Sequence, residues 1–273
     1  MLTIEPNQIV IGFLLAVLIA GVSYRFKALS LSGVIATIVV GGITFGLGGL
    51  LFAIPILFFF ISSNIISAIK TRRKRNALDN LGKSGPRDWM QVLANGGIGA
   101  GCAVVYFFTG NLIWYFVYLA SFAESSSDTW ATEIGTLSPR DPVSIISFKK
   151  VSPGYSGGIS LMGIFAAIVG SAALVGAGFV GNMLIPNGFD KIHYSLWLVC
   201  INAGFAGSIL DSIIGGSFQG LYSCLICRRL MENKVHCGFE AQLLRGFRLI
   251  NNDTVNLISS SFAAAMIILY YFL

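Results

Sequence analysis

Several carboxylates in the chain stand among apolar residues, where a charge is costly and needs a reason. One stretch reads Ala123-Glu124-Ser125-Ser126-Ser127-Asp128-Thr129-Trp130-Ala131-Thr132-Glu133. On a helix, Glu124, Asp128 and Thr132 follow one another at four-residue spacing and share a face. Glu133 lies about 140° round the helix from Asp128 and joins that face only if the helix bends or ends. Two carboxylates a turn apart, flanked by the hydroxyls of Ser127 and Thr132, suit Mg²⁺, which takes one or two carboxylates, waters and substrate phosphates. The alternative is a solvated helix end with capping hydroxyls. The apolar flanks favour the metal.

A second stretch could hold phosphate. Phe148-Lys149-Lys150-Val151-Ser152-Pro153-Gly154-Tyr155-Ser156-Gly157-Gly158-Ile159-Ser160 is basic, rich in glycine and leads into an apolar helix. Backbone N–H groups at a helix start favour anions, with Lys149 and Lys150 as point charges. The order of a Walker A loop is absent. The alternative is an ordinary turn whose lysines only set topology. A third stretch, Gly207 to Gly220, carries Asp211 between apolar residues, with Gln219 eight positions on. Asp211 reads as a further metal ligand, or else as a polar partner between helices. A fourth, Asn251-Asn252-Asp253-Thr254-Val255-Asn256, opens the last apolar run. Asn252 or Asp253 is the natural N-cap. Capping leaves Asn256 unexplained, and likewise Asn95 in Gln91–Gly97.

Two patterns carry less. Gly176-x-Gly178-x-x-Gly181 has the letters of a dinucleotide fingerprint but follows no strand, and reads as helix packing. Cys224-x-x-Cys227 with His236-Cys237 is half of a zinc motif. The second half of the usual spacing is missing, so these cysteines read as ordinary packing.

The elements that must position these groups follow from composition. Of 273 residues, 55% are hydrophobic and 11% charged. A soluble domain carries about 25% charge, so a water-facing surface is excluded, as are disorder and a disulfide-stapled module. Apolar runs without alternation exclude an outer-membrane barrel. The first run has an acidic start and no small-x-small exit, unlike a cleavable signal peptide. The chain therefore reads as one all-α integral membrane domain, a polytopic bundle over residues 1–273. Eight spans are expected: Gln8–Tyr24, Leu31–Leu47, Gly49–Ile69, Met90–Phe108, Leu112–Thr132, Gly157–Val180, Tyr194–Ile226 and Thr254–Phe272. The seventh is too long for one straight crossing, so a broken helix or a ninth piece is an alternative. With the N-terminus outside, 17 of the 18 Lys and Arg fall in inside loops, leaving only Lys191 outside. That satisfies the positive-inside rule, and the +6 net charge calls for no nucleic acid. Part of the Lys70–Arg75 cluster would meet anionic headgroups. All four polar stretches then face the cytoplasm, at an inner cell membrane.

Asp128-Thr129-Trp130-Ala131-Thr132-Glu133-Ile134-Gly135 resembles the signature of an integral membrane family that includes plant phytyl-phosphate kinase of the tocopherol pathway. Gly154–Ser160, Gly207–Gly216 with Gln219, Gln91–Gly97 and Asn252–Leu257 resemble it too, over residues 72–273. A fainter likeness reaches CTP-dependent polyprenol kinases and CDP-diacylglycerol synthases. The resemblance implies phosphoryl transfer from a nucleoside triphosphate, CTP or another, to an isoprenyl monophosphate lipid, with Mg²⁺ between the phosphates. The expected metal ligands are Asp128, Glu124 and Asp211, with Glu133 as a further acid. The expected nucleotide and phosphate contacts are Lys149, Lys150, Ser152, Gly154, Ser156, Gly157, Gly158, Ser160, Asn95, Ser127, Thr132, Gln219, Asn252, Asp253 and Asn256. The rival readings are a polyprenol kinase or cytidylyltransferase and, outside enzymes, a lipid or small-molecule transporter or flippase.

Overall fold

The structure is a computed structural model and describes residues 6–69, 71, 85–184 and 194–273. Lys70, the basic residues Arg72, Arg73, Lys74 and Arg75 that follow it, Lys83 and Lys191 lie outside the described residues. The chain is mostly helical: α1 Pro6–Arg25, α2 Leu31–Ala68, α3 Trp89–Thr109, α4 Ile113–Gly135, α5 Leu161–Leu184, α6 Tyr194–Ser217 and α7 Asn252–Phe272. Among the described residues, six of these are long and apolar enough to cross a membrane. Their outer faces carry large exposed apolar side chains, such as Ile11, Leu14 and Leu18 on α1, as a lipid-facing surface requires.

Helix α4 is the exception in composition, because Glu124, Asp128 and Glu133 interrupt its apolar sequence. It is also the axis of the bundle. Every residue from Tyr115 to Ser127 is buried, and α4 packs against α2, α3, α5, α6 and α7. A helix buried all round keeps its polar groups away from lipid. Its apolar half forms an aromatic core in which Tyr115, Tyr118 and Phe122 meet Phe52 and Phe59, and Phe116 meets Trp197.

Helix α2 is 38 residues long but is not one rod. Gly49 departs from helical geometry, with φ 63° and ψ −156°. Its first turn lies against Arg87, whose carbonyl accepts from Ser30 N at 3.0 Å. At its far end Ser67 Oγ donates to Glu133 Oε1 at 2.6 Å, and Ser67 and Arg87 border one cavity. A segment that starts and ends in the same place folds back, so α2 is a helical hairpin with Gly49 at its tip. The glycine is needed there because a Cβ disfavours positive φ. The Leu31–Leu47 and Gly49–Ile69 segments expected from sequence are its two arms.

The Tyr194–Ile226 span is corrected. Helix α6 is continuous through Gly215-Gly216 and ends at Ser217, and the chain then leaves the bundle. Residues 218–250 build a small β unit: β3 Leu221–Ser223 lies between β4 Leu230–Met231 and β7 Gln242–Arg245. β5 Val235–His236 and β6 Phe239–Glu240 form a hairpin beside it. The apolar residues that extend the hydropathy of α6 serve another purpose: Tyr222, Cys224, Met231 and Ala241 form a core of their own. A second short pair, β1 Val143–Ser144 with β2 Gly158–Ile159, precedes α5. The sixth span begins correspondingly later, at Leu161 rather than Gly157, with Ser160 Oγ accepting from Gly163 N at 3.1 Å.

Candidate functional site

At one end of the bundle lies a polar cavity of about 1070 Å³. Every helix from α2 to α7 contributes to its wall, as do the α1–α2 connection at Lys27 and the Pro153–Ser160 segment. The four polar stretches of the sequence meet here.

The centre is built from α4, α6, α7 and α3. Asp128 and Asp211 both line the cavity. Asn256, oriented with its amide nitrogen toward acceptors, donates to Asp211 Oδ2 at 3.1 Å and to the Asn252 carbonyl at 3.2 Å. The Asn95 carboxamide lies 3.5 Å from it. Glu124 sits deeper, fully buried, and does not border the cavity. Its Oε2 accepts from Ser125 Oγ at 3.4 Å, its Oε1 has no hydrogen-bond partner, and it is within electrostatic reach of Asp211 and Asp128. Helix α6 can come this close because Gly207 faces Glu124: a Cβ there would lie 2.5 Å from Glu124 Cγ. Three carboxylates so placed repel one another unless a cation or a proton neutralises their charge. A buried carboxylate oxygen with no donor fits such a cation. The donor set of carboxylate oxygens and amides suits Mg²⁺.

Glu133 is turned elsewhere. It accepts from Ser67 and faces Arg87, so it ties α4 to α2 on a different wall. Arg87 is half-buried, and burial holds its guanidinium below the usual value while Glu133 pulls it back up. Ser127 spans helices: its Oγ donates to the Ala167 carbonyl at 2.9 Å and lies 2.9 Å from Ser208 Oγ. It does not border the cavity, whereas Thr132 does.

The Gly-rich segment forms a stretch of the cavity wall rather than the first turn of a helix. Gly154, Ser156, Gly157, Gly158 and Ser160 all border the cavity. Gly157, at φ 82°, presses on the end of α6, where a Cβ would lie 2.5 Å from Gly216 Cα. Ser156 Oγ donates to Glu232 Oε1, and Arg245 donates to the Tyr155 hydroxyl and, at 3.0 Å, to the Gly215 carbonyl. Lys149, Lys150 and Ser152 are exposed and lie away from the cavity wall. Among the described residues, the cationic side chains that border it are Arg87, Arg140 and Lys27. Gln219 is buried beyond the end of α6, near Gly215, and is also outside the wall. The N-cap of α7 is Asn251, which accepts from Thr254 N at 2.9 Å. Asn252 and Asp253 are thereby left in the first turn, facing the cavity.

The model for the family described as "Integral membrane protein DUF92" matches residues 14–264. The chain belongs to the DUF92 family. The resemblance read from its motifs is borne out at that level. Relatives of the DUF92 protein include Protein PGR of Arabidopsis thaliana, 28% identical over 97% of this chain and 98% of the relative. Protein VTE6, chloroplastic, of the same plant is 26% identical over 93% and 69%. An uncharacterised membrane protein of Methanocaldococcus jannaschii is 29% identical over 88% and 92%. No solved structure matches the DUF92 chain.

Sequence reasoning passed over Arg87, Arg140 and Glu232. The two arginines were accounted for by the positive-inside rule, which conceals any further role of a basic residue. Glu232 sits in a segment that the overlong seventh span left as a featureless loop. The Asp88 N-cap, which accepts from Gln91 N at 3.1 Å, is the local signal beside Arg87.

Proposed function

We propose that this DUF92 protein is an isoprenyl monophosphate kinase that transfers a phosphoryl group from a nucleoside triphosphate to an isoprenyl monophosphate. The observation that carries the reading is the cavity itself. Asp128 and Asp211, with Glu124 beneath, share one cavity with a Gly-rich wall and two arginines inside a membrane bundle. The family resemblance supplies the reaction class, and its likeness to CTP-dependent lipid kinases makes CTP the first donor to try.

Asp128 and Asp211 would hold Mg²⁺, which supplies charge neutralisation on phosphate oxygens when bound. Arg87 and Arg140 offer cations to the same oxygens. Asn256 orients Asp211 through its amide, and Asn95 lies beside it on the cavity wall. The acceptor is already an anion, so the site needs no general base, and none is assigned.

A lipid acceptor also needs room for its tail. An apolar recess of about 80 Å³ adjoins the cavity between α1, α3, α4 and the α2 hairpin. Asn64, Arg87, Gln91 and Asn95 border both spaces, and Val40, Phe45, Phe59 and Phe122 line the recess. A phosphate head beside Arg87 thus has an apolar slot next to it. A transporter would need a polar route onward, but the aromatic core around Phe52, Tyr115 and Tyr118 fills the bundle on that side.

The proposed topology is eight crossings, counting the α2 hairpin twice, with both termini outside and the cavity facing the cytoplasm. The distribution of lysine and arginine supports it. The test is turnover. Purified protein with Mg²⁺, a nucleotide panel and geranylgeranyl or phytyl monophosphate should yield the diphosphate, read by mass spectrometry. Absence of phosphorylated lipid with every nucleotide, in protein that melts cooperatively, would overturn the reading.

A further inference from the structure

We infer that Cys224, Cys227, His236 and Cys237 form a structural Zn²⁺ site outside the bundle. Their ligand atoms all lie within 4.8 Å of one another. The His236 ring nitrogen Nδ1 is 3.4 Å from Cys227 Sγ and 3.2 Å from Cys237 Sγ. Around a tetrahedral Zn²⁺ with Zn–S of about 2.3 Å, ligand atoms stand roughly 3.5–3.8 Å apart. Three thiols and an imidazole are the composition such sites use. On this inference the cysteines do more than pack. The second ligand pair is adjacent in sequence, a spacing the usual motifs lack, and only the fold brings it to the first.

Two tight turns present the ligands. In Cys224–Arg228, Arg228 N donates to the Cys224 carbonyl at 3.0 Å, and Arg228 has φ 57°. The β5–β6 hairpin turns on Cys237 and Gly238, with φ 52° and 81°. Positive φ is unfavourable at Arg228 and Cys237, and such turns persist where something holds them. The unit that carries them is too small to hold itself. Its buried core is Tyr222, Cys224, Met231 and Ala241, far less than an independent domain needs without a metal or disulfide.

The zinc unit then has a mechanical consequence. Glu232 follows β4 and Arg245 ends β7, and both reach the Tyr155–Ser156 wall of the cavity. Fixing the sheet by metal would fix that wall. The inference stands apart from the kinase reading, because its test needs no turnover.

The full-length protein, purified in detergent with a tag free of histidine, should contain about one Zn²⁺ per chain by elemental mass spectrometry. Cys224→Ser and Cys237→Ser should lose it, while His236→Cys, with four thiolates, should keep it. Cys102→Ala, altered within the bundle, should keep it too. Cobalt exchanged for zinc should show the strong thiolate-to-metal absorption of a tetrahedral site. Stripping the metal should open residues 221–245 to protease while the bundle stays protected. Metal-free protein with these thiols freely titrating, a Cys224–Cys227 disulfide in the native protein, or full zinc content in both serine variants would each overturn the assignment.

Discussion

Glu124, Asp128 and Asp211 concentrate negative charge where α4 and α6 cross, and their chemistry separates catalysis from packing. Replacing Asp128 or Asp211 by Asn keeps size and hydrogen-bonding capacity but removes charge. If these groups hold Mg²⁺, each change should lower turnover on the order of 10²–10⁴-fold, several kcal/mol of transition-state stabilisation. Thermal stability should hold or rise, because neighbouring like charges are relieved. A purely structural pair would show the reverse, lower melting with activity retained in the folded fraction. The cations make a second contrast. Lys149 and Lys150 are exposed and away from the cavity, whereas Arg140 borders it. The Lys149→Ala/Lys150→Ala double variant should keep nucleotide KM within about twofold. Arg140→Ala should raise it roughly tenfold, about 1.4 kcal/mol. Steady-state kinetics on both proteins decides between the loop lysines and the arginine.

Two elements position the site by backbone geometry. The α2 hairpin turns at Gly49 with φ 63° and ψ −156°, a region essentially confined to glycine, so Gly49→Ala should cost about 1–3 kcal/mol, visible as a lower melting temperature. Gly157→Ala meets both a positive φ and Gly216. It should displace the Gly-rich wall and raise nucleotide KM more than it lowers melting. How much of this the sequence disclosed follows from the kind of signal each feature leaves. The i, i+4 carboxylates of α4 were legible because charge inside an apolar run is rare and helix periodicity puts them on one face. The arms of the hairpin were legible from the glycines that separate two apolar runs. The end of α6 was not, since Leu221 and Tyr222 are as apolar in a strand as in a helix, and only their pairing with β7 distinguishes the two. Asn251 was passed over as N-cap because Asn251, Asn252 and Asp253 are chemically near-equivalent caps. The cysteine–histidine cluster was half legible: Cys224-x-x-Cys227 with His236-Cys237 suggested zinc, but the two pairs converge through a hairpin that no local spacing encodes.

At the scale of the whole molecule, the ends of helices far apart in sequence share one polar cavity, while an aromatic core closes the bundle on the other side. If the chain crosses eight times, as proposed, both termini lie on the same face. Tags on the N- and C-terminus should both report the outside, and a cytosolic N-terminus would turn the cavity away from its nucleotide. The tail recess gives a further contrast. A Cβ at Gly96 would lie 2.9 Å from Val40 Cγ1, so Gly96→Leu should fill the slot and penalise long isoprenyl phosphates by roughly tenfold more than short ones, measured as the ratio of kcat/KM. The most direct measurement follows the phosphoryl group itself. Protein in detergent is given Mg²⁺, nucleotide labelled at the γ-phosphoryl and isoprenyl monophosphate, and label is counted in the extracted lipid. Wild type should move label into isoprenyl diphosphate, and Asp128→Asn and Asp211→Asn should reduce that transfer at least a hundredfold, on the order expected for loss of a metal ligand. Unlabelled lipid with every nucleotide, or equal labelling by wild type and both variants, would contradict the account.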